Sequence, residues 1–353
     1  VGKWFFERKF KMIGNKVFYA LILTGIILSG CKKVEEVSTG VKSGIFSKRQ
    51  PAKIPVIFDT DISDDIDDTW ALGLLLQSPE FDIKLITTAV GDTTARTKVV
   101  AKILQISGRT DIPIGTGVAI GDMKKGHRQD EWVKDFDMSK YKGKIYTDGV
   151  QAIIDTIMKS PETITVIAVG PLPNIAAALE REPKIAKKAR FVGMHGSVRK
   201  GFGGNSKPQT EYNVVSFIKA SQTVFTAEWI DMTITPLDTC SLVILRGEKY
   251  KKVRDSNSPI AKAVIENYKV WAKSGNKGAQ VETRSSVLFD TVAVYLAIKH
   301  DALEMENIGI RVTDNGMTAI DSKAKKVNCA VNWKKIGEFE DFLVERLINA
   351  ASR

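Results

Sequence analysis

From Ile54 onward the chain alternates short apolar runs with stretches in which apolar residues recur at helical spacing. The strand-like runs are Ile54–Phe58, Ile83–Val90, Ile112–Gly115, Ile164–Val169, Phe191–Met194 and Met232–Pro236. Helical periodicity covers Asp68–Gln77, Ala95–Ser107, Gly149–Lys159, Asn174–Arg181, Val215–Phe225, Ile260–Ser274 and Ser285–Ile298. Strand–helix alternation of this kind predicts an α/β fold, an open, mainly parallel Rossmann-like sheet with helices on both faces. Later, Ile308–Val312 and Thr318–Ile320 flank Asn315-Gly316, a hairpin signal, and a last helix is predicted from Ile336 to Ala350. No internal repeat and no second linker appears, so residues 53–353 are expected to form a single domain. Residues 119–148 break the alternation with a long polar stretch, the length at which loops in compact domains often serve as lids. In it, Trp132, Phe136 and Tyr141 are placed either to stack on a planar ligand group or to pin the loop to its own domain.

The amino terminus follows a different pattern. Basic residues through Lys16 precede the apolar run Val17 to Leu28, which ends in Leu28-Ser29-Gly30-Cys31. That run is short for a membrane span but suits a signal-peptide core. Leu-Ser-Gly-Cys resembles a bacterial lipobox, and the resemblance implies cleavage before Cys31 and lipidation of its thiol. Residues 1–31 are therefore expected to be a lipoprotein signal peptide, with Met12 a more natural start than Val1. Lys32 after the cysteine favours the outer over the inner membrane. Residues 32–52 are polar and aperiodic and read as a flexible tether. The expected location is the bacterial cell envelope, on the periplasmic side, with a lipid anchor as the contact to the membrane.

Composition narrows the function classes. The net charge is +11, and residues 1–30 carry five basic residues against Glu7 alone, so the remainder is about +7. No basic run with interleaved aromatics tracks a nucleic-acid backbone, and no nucleic-acid partner is expected. Beyond Cys31, Cys240 and Cys329 have neither a second cysteine nor a histidine at metal-ligand spacing, and read as two buried thiols.

The chemistry concentrates in Val56–Ala71, where Asp59, Asp61, Asp64, Asp65, Asp67 and Asp68 fall within ten residues between a strand's end and a helix's start. Open α/β sheets bind ligands at such strand ends. So many carboxylates on one turn repel unless cations or protons offset them, and hard divalent cations prefer carboxylate oxygens. An EF-hand reading fails, because Asp64 stands where Gly is needed and Trp70 where a Glu ligand is needed. A haloacid-dehalogenase-type phosphatase, with Asp59 as nucleophile and Asp61 as acid/base, fits locally, but its later acidic pair is misplaced.

Six blocks in order support a third reading. Asp59-Thr60-Asp61 with Asp67-Asp68, LITTAVGD (85–92), VIAVGPLPNIA (166–176), FVGMHGS (191–197), Glu211-Tyr212-Asn213 and LFDTVAV (288–294) resemble the inosine–uridine-preferring nucleoside hydrolase family. The resemblance covers roughly residues 54–345. It implies metal-dependent hydrolysis of the N-glycosidic bond of a ribonucleoside or related ribosyl substrate in nucleoside salvage, with Ca²⁺ as cofactor. Asp61 would be general base and metal ligand, with Asp68, Asp290 and the carbonyl of Val169 as further ligands. Asp67, Asp92, Asn205, Glu211 and Asn213 would hold the sugar. The chemistry is consistent: the oxocarbenium-like sugar needs a positioned water, negative charge nearby and help for the departing base.

The chain also departs from that family. Ser63, Asp64 and Asp65 stand where a glycine-bearing turn is usual, which leaves Asp64 and Asp65 without a role. Phe289 replaces a histidine proposed to protonate the base, so His195 is taken as the candidate acid, with His127 on the loop as another. Arg199 reads as solvated or as a contact for an anionic substrate group. A non-catalytic nucleoside- or sugar-binding lipoprotein on the same fold is the competing function, and a homo-oligomer is compatible with either.

Overall fold

The structure is a computed structural model that describes residues 52–275 and 280–349, so the expected signal peptide, Cys31 and nearly all of the tether lie outside the described residues. Ten strands form one sheet: β1 (Ile54–Thr60), β2 (Phe81–Thr88), β3 (Ile114–Thr116), β4 (Ile145–Tyr146), β5 (Ile164–Ala168), β6 (Ala189–Met194), β7 (Met232–Thr235), β8 (Leu303–Val312), β9 (Thr318–Ile320) and β10 (Lys326–Trp333). Their spatial order is β4-β3-β2-β1-β5-β6-β7-β10-β8-β9. All pairings from β4 across to β10 are parallel, and β8 and β9 add antiparallel strands at one edge. The helices are α1 (Asp67–Leu76), α2 (Thr93–Ile106), α3 (Asp130–Val133), α4 (Gly149–Lys159), α5 (Pro173–Arg181), α6 (Tyr212–Val215), α7 (Ile218–Thr226), α8 (Leu237–Cys240), α9 (Gly247–Arg254), α10 (Pro259–Lys273), α11 (Thr291–Ile298) and α12 (Ile336–Ile348).

Two apolar cores follow from the period-2 alternation of central strands covered on both faces. Val56, Phe58, Ile86 and Ile167 point into one core, which holds α1, α2, α10, α11 and α12. Ile57, Leu85 and Val166 point into the other, with α4, α5 and α7. Each fully buried aliphatic side chain contributes roughly 1.5–3 kcal/mol. All ten residues of α1 are buried. Its Gly73 lets α10 and α12 close on it, since a Cβ there would sit 3.1 Å from Leu347 and 3.2 Å from Ile260 and Val264. Strand order reverses between β1 and β5, the switch point at which a crevice opens beyond the strand ends. The described residues belong to one compact unit. Among the described residues no helix is long and apolar enough to cross a membrane.

Several boundaries differ from the sequence reading. The helix expected over Ser285–Ile298 begins only at Thr291, because the backbone of Ser285 and Leu288 bonds instead to the carbonyls of Leu245 and Val243 (3.0 and 2.9 Å). The pattern over Val215–Phe225 is divided between α6 and α7. Strand β2 ends at Thr88, ahead of Val90, which turns out of the strand at φ 53°. Strand β10 and helix α9 have no counterpart in the sequence reading.

Candidate active site

The site is built on the turn between β1 and α1. Asp59, next to last in its strand, is fully buried, its Oδ1 accepting from Thr87 Oγ1 and, at 2.8 Å, from Asn174 Nδ2. Asn174 also donates to the Thr88 carbonyl (3.0 Å) and accepts from Val118 N–H (2.8 Å), which ties β1, β2 and the segment after β3 together. Asp59 does not line the pocket, so the phosphatase nucleophile is excluded and the residue supports the turn. Thr60 Oγ1 donates to Asp68 and accepts from Ile62 N–H (3.1 Å), fixing one carboxylate from the strand side.

The loop then turns through Ser63 at φ 86°, and Val90 in the adjacent loop is also left-handed. Side chains with a Cβ adopt that region only at a cost. Arg96 holds both turns: from α2 it donates Nη1 to the Ile62 carbonyl (2.6 Å) and Nε to the Val90 carbonyl (2.8 Å), and it is wholly buried. Its charge opposes the effect of burial on Asp61 and Asp68. Asp64 pairs with Lys125 Nζ (2.8 Å) and Arg128 Nε (3.5 Å) on the long loop. That loop is anchored further by Arg128 N–H to the Ser63 carbonyl (3.1 Å) and Gln129 Nε2 to the Asp65 carbonyl (3.2 Å). Asp64 through its carboxylate and Asp65 through its backbone carbonyl thus fasten the loop to the rest of the site.

Asp67 and Asp68 occupy the first turn of α1, and Asp290 precedes α11, yet none of the three caps its helix with a side-chain bond. Instead one oxygen from each lies within 4.8 Å of the others. All three are buried, and burial first, then repulsion from neighbouring carboxylates including Asp61, pushes their carboxyl groups well above the usual range. Asp61 lies beside them, raised to about 6 by burial. Gly170, after β5, admits it closely: a Cβ there would meet Asp61 Oδ1 at 2.6 Å. Dry carboxylates in this number, with no ion pair to the triad among the described residues, suit a hard divalent cation with oxygen ligands. The donor set fits Ca²⁺.

These groups line a cavity of about 440 Å³. From the opposite side come Glu211, Asn213 and the Val169 carbonyl. Both Glu211 oxygens are held by backbone N–H groups of Gly196 (2.9 Å), Asn213 (2.7 Å) and Val214 (3.2 Å), and burial raises its pKa to about 7. Asn213 Nδ2 donates to the carbonyls of Val169 (2.8 Å) and Met194 (3.0 Å).

Other sequence candidates lie elsewhere. His195 is fully buried between Phe191 and Phe225, its Nε2–H donating to the Gly170 carbonyl (3.1 Å). Burial lowers its pKa to about 4, so it stays neutral and off the cavity wall, which removes it as the leaving-group acid. Asp92 caps α2 through the N–H groups of Thr94 (3.0 Å) and Ala95 (2.9 Å) and does not reach the pocket. Asn205 is exposed, accepting from Lys207 N–H (3.2 Å), also outside it. His127 pairs with Asp130 (2.9 Å), and Arg199 with Glu306. Trp132 and Tyr141 are buried in the core, so the loop aromatics pin the loop and do not stack on a ligand. The pocket aromatics are Phe202, Tyr212 and Phe289. Sequence reasoning missed Phe202, although it sits in the same Gly-rich loop as Asn205, and missed Arg96, which carries no local signal.

The comparisons agree with this geometry. The family model described as inosine-uridine preferring nucleoside hydrolase matches residues 56–339. The chain is 28% identical over 335 residues to the pyrimidine-specific ribonucleoside hydrolase RihA of Citrobacter koseri, covering 85% of this chain and 99% of that protein. It is 27% identical over 304 residues to the inosine-uridine preferring nucleoside hydrolase of Leishmania major, covering 81% and 94%. Its fold is shared with a plant nucleoside hydrolase (TM-score 0.71, 24% identity, 84% of this chain and 99% of that one). It is shared equally with the purine-preferring ribonucleoside hydrolase of Gardnerella vaginalis (TM-score 0.70, 22% identity, 84% and 99%). With the match running almost from the first strand to the last helix, the chain belongs to the inosine-uridine preferring nucleoside hydrolase family, enzymes that cleave the N-ribosyl bond.

Proposed function

We propose that this protein hydrolyses the N-glycosidic bond of a ribonucleoside or related ribosyl substrate, releasing base and ribose, with Ca²⁺ in the carboxylate cluster. The observation that carries the reading is the buried Asp67–Asp68–Asp290 triad at the switch-point cavity. Bound there, the ion supplies a Lewis acid that makes water a better nucleophile at neutral pH. Asp68 and Asp290 would hold it with Asp61, and the Val169 carbonyl keeps a second lone pair beside its bond from Asn213. Asp61 takes the proton of the attacking water. Its closeness to Gly170 fixes where that carboxylate points. Asp67 serves the ion or a sugar hydroxyl next to it. Glu211, pinned by three N–H groups, presents a fixed acceptor to another hydroxyl, and Asn213, its amide nitrogen committed, offers Oδ1. The remaining carboxylates offset positive charge as the C1′–N bond lengthens.

The amino-terminal pattern completes the proposal: lipidation at Cys31 would tether the enzyme, through residues 32–52, to the periplasmic side of the outer membrane. A ribosyl-binding lipoprotein without turnover is the second reading, favoured by Phe289 on the cavity wall. Ribose release from a panel of ribonucleosides separates them. The hydrolase reading expects turnover of at least one substrate, abolished by Asp61→Ala. Tight binding without ribose release from any substrate would support the binding protein.

A further inference from the structure

The eight strands that pair in parallel, from β4 across to β10, all start at one edge of the sheet and finish at the other, where the cavity lies. The two edges differ in charge. Taking the three residues ahead of each strand and its first two, the starting edge holds nine basic residues against five acidic ones. The matching positions at the finishing edge hold two basic residues against four acidic, before the triad and Glu211 are added. Three of the five acids at the starting edge are already paired: Glu80 with Arg346, Asp82 with Lys84 and Asp111 with Arg109.

The positive charge is concentrated. Lys187, Lys188 and Arg190 lie at the start of β6, and Lys323, Lys325 and Lys326 at the start of β10, with only β7 between them. At about 4.8 Å from strand to strand, the two clusters are roughly 10 Å apart. Between them, ahead of β7, Ile230 donates its N–H to the Ala189 carbonyl (3.1 Å) and keeps 50% of its surface exposed. Lys188 and Lys325 donate to the carbonyls of Met158 and Ala227, which leaves their charges in place. The nearby acids are Glu228, 3.8 Å from Lys325, and Asp231, which accepts from Asn328 (2.6 Å). Cations on both sides of an exposed aliphatic group match an anionic phospholipid surface, whose headgroups take the charge and whose acyl boundary takes the side chain. A nucleic-acid backbone offers the charge but no apolar layer for Ile230.

The course of the chain adds a second argument. Residues 1–52 join the domain at Lys53, on this same edge. Strand β1 then carries the chain through seven residues, roughly 20 Å, toward the carboxylates of the site. Resting on the anchor reading above, we propose that the starting edge is a docking face for anionic phospholipid. The tethered domain lies with the starts of β6, β7 and β10 against the headgroups, and its cavity faces the solvent from which a nucleoside arrives.

The test is co-sedimentation of residues 32–353, which keep every described residue and carry no lipid, with vesicles of defined composition. The expected affinity for mixed phosphatidylglycerol–phosphatidylcholine vesicles is about 10-fold or more above that for phosphatidylcholine alone, and it fades as salt is raised. Lys187→Gln combined with Lys326→Gln weakens this binding about 20-fold. Lys334→Gln combined with Lys335→Gln removes the same charge from the finishing edge and changes it about 2-fold or less. Ile230→Ser weakens it about 5-fold at unchanged charge. The tether's own lysines are common to all these proteins, and circular dichroism of each should match the parent. Equal affinity for the two kinds of vesicle, equal losses in the two double variants, or duplex DNA bound as tightly as the anionic vesicles overturns the docking face. The anchor is read separately, by incorporation of labelled palmitate into the full chain and its loss in Cys31→Ala, so either reading can fail without the other.

Discussion

The guanidinium of Arg96 lies 2.6 Å from the carbonyl of Ile62, directly ahead of left-handed Ser63, with no part of the arginine exposed. Its second bond, to the Val90 carbonyl at 2.8 Å, holds the other left-handed residue. Removing one partner of a buried charge network costs roughly 3–5 kcal/mol. Arg96→Met is expected to lower unfolding free energy by about that much in urea titrations, and Arg96→Lys by less, since it keeps the charge. Added Ca²⁺ should recover part of the loss, because the ion restores positive charge behind the loop.

Gly170 sets the position of Asp61. A methyl group there would lie 2.6 Å from the carboxylate oxygen and 2.9 Å from the Asp61 backbone nitrogen, so Gly170→Ala forces the carboxylate to move. A displacement on the order of 1 Å costs about 100-fold in rate. The expected outcome is a drop of that size in kcat with near-normal circular dichroism and a Tm lowered by only a few degrees.

The triad should behave as mutually repelling charge until an ion joins it. Asp68→Asn and Asp290→Asn each remove one repelling carboxylate, while asparagine at 68 still accepts from Thr60. Without Ca²⁺ the variants are expected to be as stable as the parent or more so. For the parent, an ion at 100 times its Kd adds about 2.7 kcal/mol. Differential scanning calorimetry with and without Ca²⁺ checks this: at the Ca²⁺ concentration that saturates the parent, the rise in Tm should shrink to a small fraction in both variants.

His195 supplies a pH signature that is structural and not catalytic. Folded, it is neutral with a pKa near 4, and unfolded it returns to 6.5. The unfolded chain therefore binds the extra proton first. The stability that the neutral ring contributes is complete above pH 6.5 and is lost as pH falls toward 4, on the order of 3 kcal/mol in all. His195→Gln should flatten that part of the stability–pH curve while leaving the pH dependence of kcat in place.

The fold and the metal half of the site were legible because their signals are local. Apolar runs such as Ile164–Val169 are strands buried on both faces, and carboxylates crowded between β1 and α1 announce themselves by spacing alone. Strand β10 was missed because its apolar positions, Val327 and then Cys329-Ala330-Val331, make neither a clean alternation nor a long apolar run, and Lys325-Lys326 precede them. Asp92, Asn205 and His195 were misplaced for a different reason. Each stands in or beside a block that resembles the family, but a cap on α2, an exposed loop and a buried ring are decided by tertiary contacts that spacing does not carry. Arg96 was invisible for the same reason, since an arginine in a helical pattern ordinarily reads as solvated, and only its burial against Ile62 and Val90 gives it a role.

The central claim is that the buried triad holds the ion on which bond cleavage depends. It is tested most directly by the initial rate of ribose release from chelator-stripped protein as free Ca²⁺ is titrated back. The account predicts no rate above the uncatalysed background without the ion, a saturable rise with it, and a curve displaced at least 100-fold to higher Ca²⁺ by Asp290→Asn. A rate independent of Ca²⁺, or a titration that Asp290→Asn does not move, would contradict it.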